Sequence, residues 1–573
     1  MVEKLRKIKQ YASREQMHKG KLYVKTYWNK PKEGEYVSVR EFVAFCVSAS
    51  GGNIYMFVAG FIGFNAGFFC GAIMGITVMD FYKIGIIGMV SGYAFTWMTP
   101  LNMLIYENFG RLDKKVRNTA HVAMAVKLTV GVAAYMMPSD MFESFLHGMP
   151  QIIGNTLVIS VFNFYSDWFV RYKFGEKHGR AKPFVLIYSV PIYILLCVIP
   201  YINYDAFGYT GKVVLLHFLF GLLGTMTADY GSAIGMINFI TPNSLERQKF
   251  FSIAPFFYSL PQSILHMLFP LMAAYTGGYT SLRTYRVFIP ILCGVGMLMN
   301  LALIFVKERV LELKKEKRVK VTFLKGAKQV LMNKYLWILN ISGLIGSWSG
   351  IAGNLLSLFF VYALRREWLL GFAGAVIVVP CNAAFFVSAY LIKRHERRNV
   401  YLSSRFCECM SMVGMAFAVY LNNLVLMLIF MGIRNFFGVV TDAAASGFAG
   451  EIMEYHQHRF GERCDSIRGI SGWITGPIAQ ATGWILPLIL ALAGFTSDWD
   501  VFYDDGIRNT LLNIYMWGSV LGFVLGTSPF VFYDITKDKH KKIVEELKER
   551  LRLAEDDEQP PVEATLAEVT AGE

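Results

Sequence analysis

From Phe42 almost to Tyr533 the chain alternates long apolar runs with short polar connections. A membrane helix needs about 20 predominantly apolar residues to cross roughly 30 Å of hydrocarbon, with every backbone polar group bonded inside the segment. The runs predict about fourteen such helices. They lie near 42–75, 79–106, 119–138, 150–170, 184–203, 213–240, 250–276, 287–306, 335–362, 368–392, 405–420, 424–448, 467–495 and 511–533. The shortest breaks, such as "LNN" at 421–423, leave the count open by a helix or two.

The polar connections alternate in character. Arg111, Lys114, Lys115 and Arg117 follow the second run, and Arg171, Lys173, Lys177, Arg180 and Lys182 follow the fourth. Lys307 to Lys334 and Lys393 to Arg398 are also strongly basic, whereas "PSDMFESFLHG" and "TSDWDVFYDD" are acidic or poor in Lys and Arg. The positive-inside rule assigns the basic set, and both termini, to the cytoplasmic side of a cell membrane. The expected domains are a basic arm at 1–40, an N-terminal bundle at 41–306, a basic loop at 307–334, a C-terminal bundle at 335–533 and a tail at 534–573. The arm lacks a short apolar core with a cleavage site and reads as a segment touching anionic headgroups. The tail begins as a charged amphipathic helix and ends in acidic sequence expected to be disordered. Two multi-helix halves joined by a long basic loop are the layout of a transporter with a mid-membrane site, shared by some channels and membrane enzymes.

Composition narrows this further. Of 573 residues 54% are hydrophobic, yet the formal charge is +14, a pairing foreign to a soluble protein. The excess belongs to loops beside membrane lipids, so no nucleic-acid partner is expected. Eight cysteines are scattered without metal-ligand or disulfide spacing and read as packing residues. No zincin, phosphate-loop, nucleophile-elbow or dinucleotide fingerprint occurs in a usable context, so no catalytic residue, metal or cofactor is expected, and no enzyme. Gly67, Gly71 and Gly75 in "GFFCGAIMG" predict one close-packing helix face. Ionisable groups inside the runs are costly and therefore informative. These are Lys127, Asp167, Asp229, Arg434 and Asp442, each either functional or pairing helices.

"GEIMEYHQHRFGERCDS" resembles a signature of the glycoside-pentoside-hexuronide:cation symporters, the melibiose-permease branch of the major facilitator superfamily: Ala-Asp-x-x-Asp-Tyr, then Gly-x-Arg-x-Glu. Gly450-Glu451, Glu454-Tyr455, Gly461, Arg463 and Asp465 fill its positions. "FITPNSLERQKFFSI", with Glu246 and Arg247, resembles the family's first-half cytoplasmic loop, and "FGEKHGRAKPFVLI" its loop between the second and third helices. "FVFYDITKDKHKKIVEELKER" resembles its C-terminal ending. The four segments stand in the family's order from about 160 to 550. The resemblance implies an all-α fold of two helical bundles, with twelve helices plus an inserted pair near 76–150 in the N-terminal half.

It also implies roles. Acids and bases at cytoplasmic helix ends can form ion pairs that hold one side closed and break when the halves rock. The expected gate is Arg171, Lys182, Glu246, Arg247, Glu451, Glu454, Arg459, Arg463 and Asp465. Family members coupled to sodium or protons carry Asp-x-x-x-Asp in the second helix. If "FNFYSDWF" is that helix, Asn163 and Asp167 fill these positions and Ser166 adds an oxygen. If "FTWMTPLNMLIYENFG" is that helix instead, the region of Thr99 carries no acid there. Pro477 stands where the family has a cation-site Lys. Asn53 occupies the place of a first-helix substrate Asp, and Asp229 lies close to a fourth-helix one. Trp348 and Asn354 would complete a cavity of hydrogen-bonding groups and aromatic platforms.

The expectation is a secondary active transporter moving a sugar, glycoside or related small solute by alternating access, with a co-transported proton or sodium ion as an open question. A lysophospholipid-type carrier of the same branch and a non-transporting sensor or scaffold are the alternatives.

Overall fold

The computed structural model describes residues 18, 21–64, 67–94, 114–170, 174, 178–179, 182–231, 236–241, 244–309, 328–358, 382–421, 423–460, 475 and 504–556. Among these every regular element is helical. The main helices are α1 (Val39–Ala59), α2 (Val78–Ala94), α3 (Lys114–Tyr135), α4 (Met149–Val170), α5 (Lys182–Val198), α6 (Tyr209–Gly231) and α7 (Ser244–Thr276). They continue with α8 (Leu282–Asn300), α9 (Lys334–Leu358), α10 (Arg397–Tyr420), α11 (Leu424–Phe460), α12 (Asp505–Thr527) and α13 (Lys537–Asp556). Six spans among the described residues are long and apolar enough to cross a membrane: Val39–Ile62, Lys182–Tyr201, Tyr209–Thr227, Leu282–Phe305, Leu424–Phe460 and Leu512–Phe532. Large apolar side chains stand exposed along the helices, including Val122 and Val126 on α3, Ile291 and Leu298 on α8 and Phe406 and Phe417 on α10. Faces of this kind belong against lipid, where no water penalises them.

The structure changes several helix boundaries expected from hydropathy alone. The first run is not one regular α-helix: wider π-type turns at Gly60–Phe64 and Gly67–Ile73 follow α1, and Gly75, with φ of 72°, ends the run. Gly75 is therefore a terminator and not the third member of a packing face. Helix α7 begins at Ser244, so the "SLERQ" stretch expected in a loop forms a first helical turn. Helix α11 runs unbroken for 37 residues, about 55 Å at 1.5 Å per residue. It outruns the hydrocarbon, and "GEIMEYHQHRF" is its charged end and not a loop.

The helices fall into two compact units. In the first, α1 packs against α7 and α8, α8 against α5, α5 against α6, and α6 against α4. Helices α2 and α3 lie on α4. A Cβ at Gly51 would sit 2.5 Å from the Gly296 carbonyl oxygen, so glycine alone permits α1 and α8 to approach this closely. Polar ties reinforce the packing: Tyr230 donates to Asn300 Oδ1 (2.5 Å), Tyr55 to the Ser189 carbonyl (2.9 Å) and Asn155 to the Val214 carbonyl (2.9 Å). Tyr135 donates to Asn155 Oδ1, joining α3 to α4. Such bonds contribute about 0.6 kcal/mol on average inside a membrane, enough to fix register without dominating stability.

The second unit contains α10, α11, α13 and parts of α9 and α12. Helices α10 and α11 are antiparallel: Arg397 meets Glu451, Glu408 meets Thr441, and Gly414 meets Phe430. Tyr401, Phe448, Phe530 and Tyr533 form an aromatic cluster at their charged end, with Tyr401 and Phe530 centroids 4.3 Å apart and Phe448 and Tyr533 centroids 4.7 Å apart.

Candidate functional site

The charged end of the first unit is built on Ser38 and Glu41. Their capping box closes the start of α1, with Ser38 accepting from the Glu41 backbone N–H and Glu41 accepting from that of Ser38. Glu41 also takes Arg309 Nη2 at 2.8 and 2.9 Å, so one carboxylate caps α1 and ties it to the segment beyond α8. Glu246, buried in the first turn of α7, accepts from the backbone of Val37 (2.9 Å) and Tyr36 (3.2 Å) and from the Thr241 hydroxyl (2.5 Å). Its charge is favoured there by the positive end of the α7 dipole.

Lys182 opens α5. Its ammonium donates to the carbonyls of Ile304 (2.8 Å) and Val306 (2.9 Å), and its backbone N–H donates to Glu308 Oε1 (2.7 Å). Gly179, in the left-handed region with φ of 106°, leaves room for that carboxylate: an added Cβ would lie 2.5 Å from the Glu308 carboxyl carbon. Gly179 and Lys182 thus both meet an acid contributed from beyond α8.

A cavity of about 60 Å³ in the same unit is lined by Ser48, Asn53, Tyr230, Tyr258 and apolar neighbours. The Asn53 amide donates to the Tyr258 carbonyl (2.7 Å). This volume is far below the 300 Å³ or more typical of a ligand pocket. Asn53 therefore lines a polar spot in the unit and also ties α1 to α7.

Asn163, Ser166 and Asp167 lie in the last two turns of α4, with Asp167 buried (3% exposed). Ser166 donates to the Asn163 carbonyl (3.1 Å) and accepts from Tyr188 (3.0 Å), linking α4 to α5 beside the acid. Nearby, Ala120, Met124, Val161 and Phe164 form a packed cluster between α3 and α4. Lys127, also largely buried, reaches Ser160 at 3.5 Å and so pairs helices within this bundle.

In the second unit the charged end of α11 meets α10 and α13. Glu451 accepts from Arg397 (2.7 Å) and from Tyr533 (2.7 Å). Glu454 meets His540 (2.5 Å), and His458 meets Glu546 (2.5 Å), so two acid–imidazole contacts hold α13 against α11. Arg459 donates to the Met332 carbonyl (3.1 Å) and to Tyr455 (3.3 Å). Asp534 gathers Tyr335 (2.6 Å), Lys539 (2.9 Å) and Lys334 (3.1 Å). Burial pushes the Asp534 carboxyl up, but these three hydrogen bonds outweigh it and hold the group well below the usual carboxylate range. The Glu454 contact raises His540, against a smaller opposing effect of burial.

Several expected site residues lie outside this description. Arg171, Arg463, Asp465, Pro477 and Thr99 fall outside the described residues, as do the side chains of Asp229, Arg247, Trp348 and Asn354. The described gate residues find partners inside their own units: Lys182 and Glu246 in the first, Glu451, Glu454 and Arg459 in the second.

Three residues escaped the sequence reading. Glu41 carried a legible signal, the Ser38-x-x-Glu41 capping box, and Arg309 its partner did not. Glu408 is a buried acid within an apolar stretch of α10, where it accepts from Arg405 (3.0 Å) and Thr441.

The long lipid-facing helices with charged ends define a multi-pass membrane protein. The profile of the MFS/sugar transport protein family matches residues 156–537, two thirds of the chain, and the chain belongs to this family, the glycoside-pentoside-hexuronide branch of the major facilitator superfamily. Its fold is the all-helical one of that superfamily, and the family is one of transporters and not of enzymes. Among solved structures, a D-xylose-proton symporter aligns over 85% of this chain and 96% of its own at 11% identity, with a TM-score of 0.47. The xylose transporter XylE from E. coli, in a partially occluded inward-open conformation, aligns over 87% and 98% at 10% identity, with a TM-score of 0.46. No curated protein matches the chain.

Proposed function

We propose that the chain is a secondary active transporter of a sugar, glycoside or related small organic solute, working by alternating access in the cell membrane with both termini cytoplasmic. The family profile over 156–537 is the observation that carries this reading. In this reading the chain has about fourteen spans, the family's twelve and an added pair formed by α2 and α3, which lie on α4. The bundles are 41–306 and 335–533, joined by the basic loop 307–334, with the arm 1–40 and tail 534–573 in the cytoplasm.

The solute site lies at mid-membrane between the bundles, where the family layout puts it. Asn53, Asp229, Trp348 and Asn354 contribute to it. Asp167, a buried acid with Asn163 and Ser166 in its last helical turns, couples uptake to a proton or sodium gradient. Arg171, Lys182, Glu246, Arg247, Glu451, Glu454, Arg459, Arg463 and Asp465 form cytoplasmic ties that change partners as the bundles rock.

The test is uptake of labelled glucose, galactose, xylose and melibiose into proteoliposomes, each with a sodium gradient, a proton gradient and neither. The expected result is gradient-stimulated uptake of at least one, reduced in Asp167→Asn. Absence of flux for every sugar under all three conditions overturns the transporter reading, and unchanged gradient-driven uptake in Asp167→Asn overturns the coupling role.

A further inference from the structure

Glu408 lies at the centre of a polar cluster in the second unit that none of the roles above uses. On α10 it stands eleven residues from Arg397, whose pairing with Glu451 marks the charged end of the helix. Eleven residues of α-helix are about 16 Å, so Glu408 lies three turns in from that end and inside the apolar run that begins near 405. Its side chain is 4% exposed. A carboxylate at that depth is costly unless paired, and residues of this kind mark proton and ion pathways.

Facing Glu408 from α10 itself are Arg405 (3.0 Å), whose guanidinium lies over the Tyr401 ring, and Cys409. From α11 come Thr441, and Asp442 and Arg434 within electrostatic reach. From α12, Phe523 lies under the guanidinium groups of both Arg405 (5.4 Å) and Arg434 (5.7 Å), and Tyr515 faces Arg434. Arg405 thus serves two acids, Glu408 in direct contact and Asp442 through its field. Arg434 keeps a buried Nε with no hydrogen-bond partner among the described residues.

Thr441 shows that both protonation states of Glu408 can be satisfied. Its hydroxyl has one hydrogen and lies within bonding range of Glu408 Oε1, Ser404 Oγ (2.8 Å) and the Phe437 carbonyl (2.9 Å). With Glu408 ionised, Thr441 donates to it and Arg405 holds the other oxygen. With Glu408 neutral, its carboxyl O–H donates to Thr441 Oγ1, and the threonine hydrogen turns to the Phe437 carbonyl, an acceptor already in place. Arg405 is then released toward Asp442.

We propose that Glu408 is a proton-binding site in the C-terminal bundle, exchanging a proton with bulk solvent as Arg405 moves between Glu408 and Asp442. Its role in driving uptake rests on the transporter reading, but the binding of the proton does not. The decisive measurement is infrared difference spectroscopy of the purified full-length protein between alkaline and acidic buffer. A carbonyl band of a buried carboxylic acid gained on acidification should vanish in Glu408→Gln, persist in Asp167→Asn and move to higher frequency in Thr441→Val, which removes its hydrogen-bond partner. An acid-minus-alkaline spectrum in Glu408→Gln identical to the wild type overturns the proposal. If Glu408→Gln does not fold, an unshifted band in Thr441→Val overturns it instead. In proteoliposomes, proton-driven uptake of the sugar the wild type carries should fall at least about tenfold in Glu408→Gln, a loss of ~1.4 kcal/mol or more in driving. Unchanged uptake there overturns the coupling role, while a wild type that moves no sugar tells against the transporter reading and leaves the infrared result to decide the site.

Discussion

The pairing of Glu451 with Arg397 is open to a double-mutant cycle. The two side chains are 12% and 19% exposed and 2.7 Å apart, and the second Glu451 oxygen accepts from Tyr533 at 2.7 Å. Hydrogen bonds to charged groups contribute about 1.5 to 3 kcal/mol each, more when loss of one partner strands the other. Glu451→Ala removes two of them and leaves the guanidinium beside Gly447, where even a Cβ would collide with it. The expected cost is about 3–4 kcal/mol. Arg397→Ala should cost about 2–3 kcal/mol, since Tyr533 still satisfies one oxygen. The double variant should cost about 4 kcal/mol, giving a coupling near 2 kcal/mol. Glu451→Gln keeps an acceptor and should lose about 1–2 kcal/mol. Reversible unfolding in mixed SDS micelles measures all four. Single-variant losses that add to within about 0.5 kcal/mol would mean that the two groups do not act as a pair, and the assignment of this helix end would fail.

Three further outcomes are expected. His540 titrates above its ordinary value of about 6.5 because of Glu454, so their contact contributes fully below that pH and is lost as pH rises through the folded-state value. Discounted for solvent screening, a pair of this kind contributes about 0.7 kcal/mol, so α13 should be cleaved by protease about threefold faster near pH 8 than near pH 6, and His540→Ala should abolish the difference. Glu246→Ala strands the Tyr36 and Val37 N–H groups and the Thr241 hydroxyl, costing about 3 kcal/mol locally; trypsin cleavage after Lys32 should accelerate about tenfold or more, and unchanged cleavage would show that Glu246 does not anchor this segment. Gly51→Val drives a side chain into the Gly296 carbonyl, so the thermal midpoint in detergent should drop by an amount equivalent to about 1–3 kcal/mol, with recovery expected from no substitution at Met299 alone.

Among the described residues six of the apolar runs form helices long enough to cross a membrane, because a membrane helix satisfies its own backbone and needs only length and composition to be recognised. Their ends were less legible. Ser244 and Phe460 lie in polar sequence where the apolar signal has stopped, yet α7 and α11 continue because Glu246 and Glu451 find partners on neighbouring segments. The gate residues were visible as charges in a family motif, but not their partners: Arg397 is 54 residues from Glu451, and Glu246 bonds to backbone 209 residues away. Asn53 was legible as a polar group in an apolar run, but its partner, the Tyr258 carbonyl 205 residues away, was not.

By itself the sequence determined that this is a multi-pass helical membrane protein of a sugar-transport family, since hydrophobic length, loop charge and short motifs are local properties that survive without a neighbour. Only the tertiary structure decided what each buried polar group does, because a charge in a dry interior is governed by whichever group lies within a few ångströms, wherever it falls in the chain. Glu408 shows the difference: in sequence it is one acid in "RFCECM", and in the fold it is a buried carboxylate with an arginine on one oxygen and a threonine on the other.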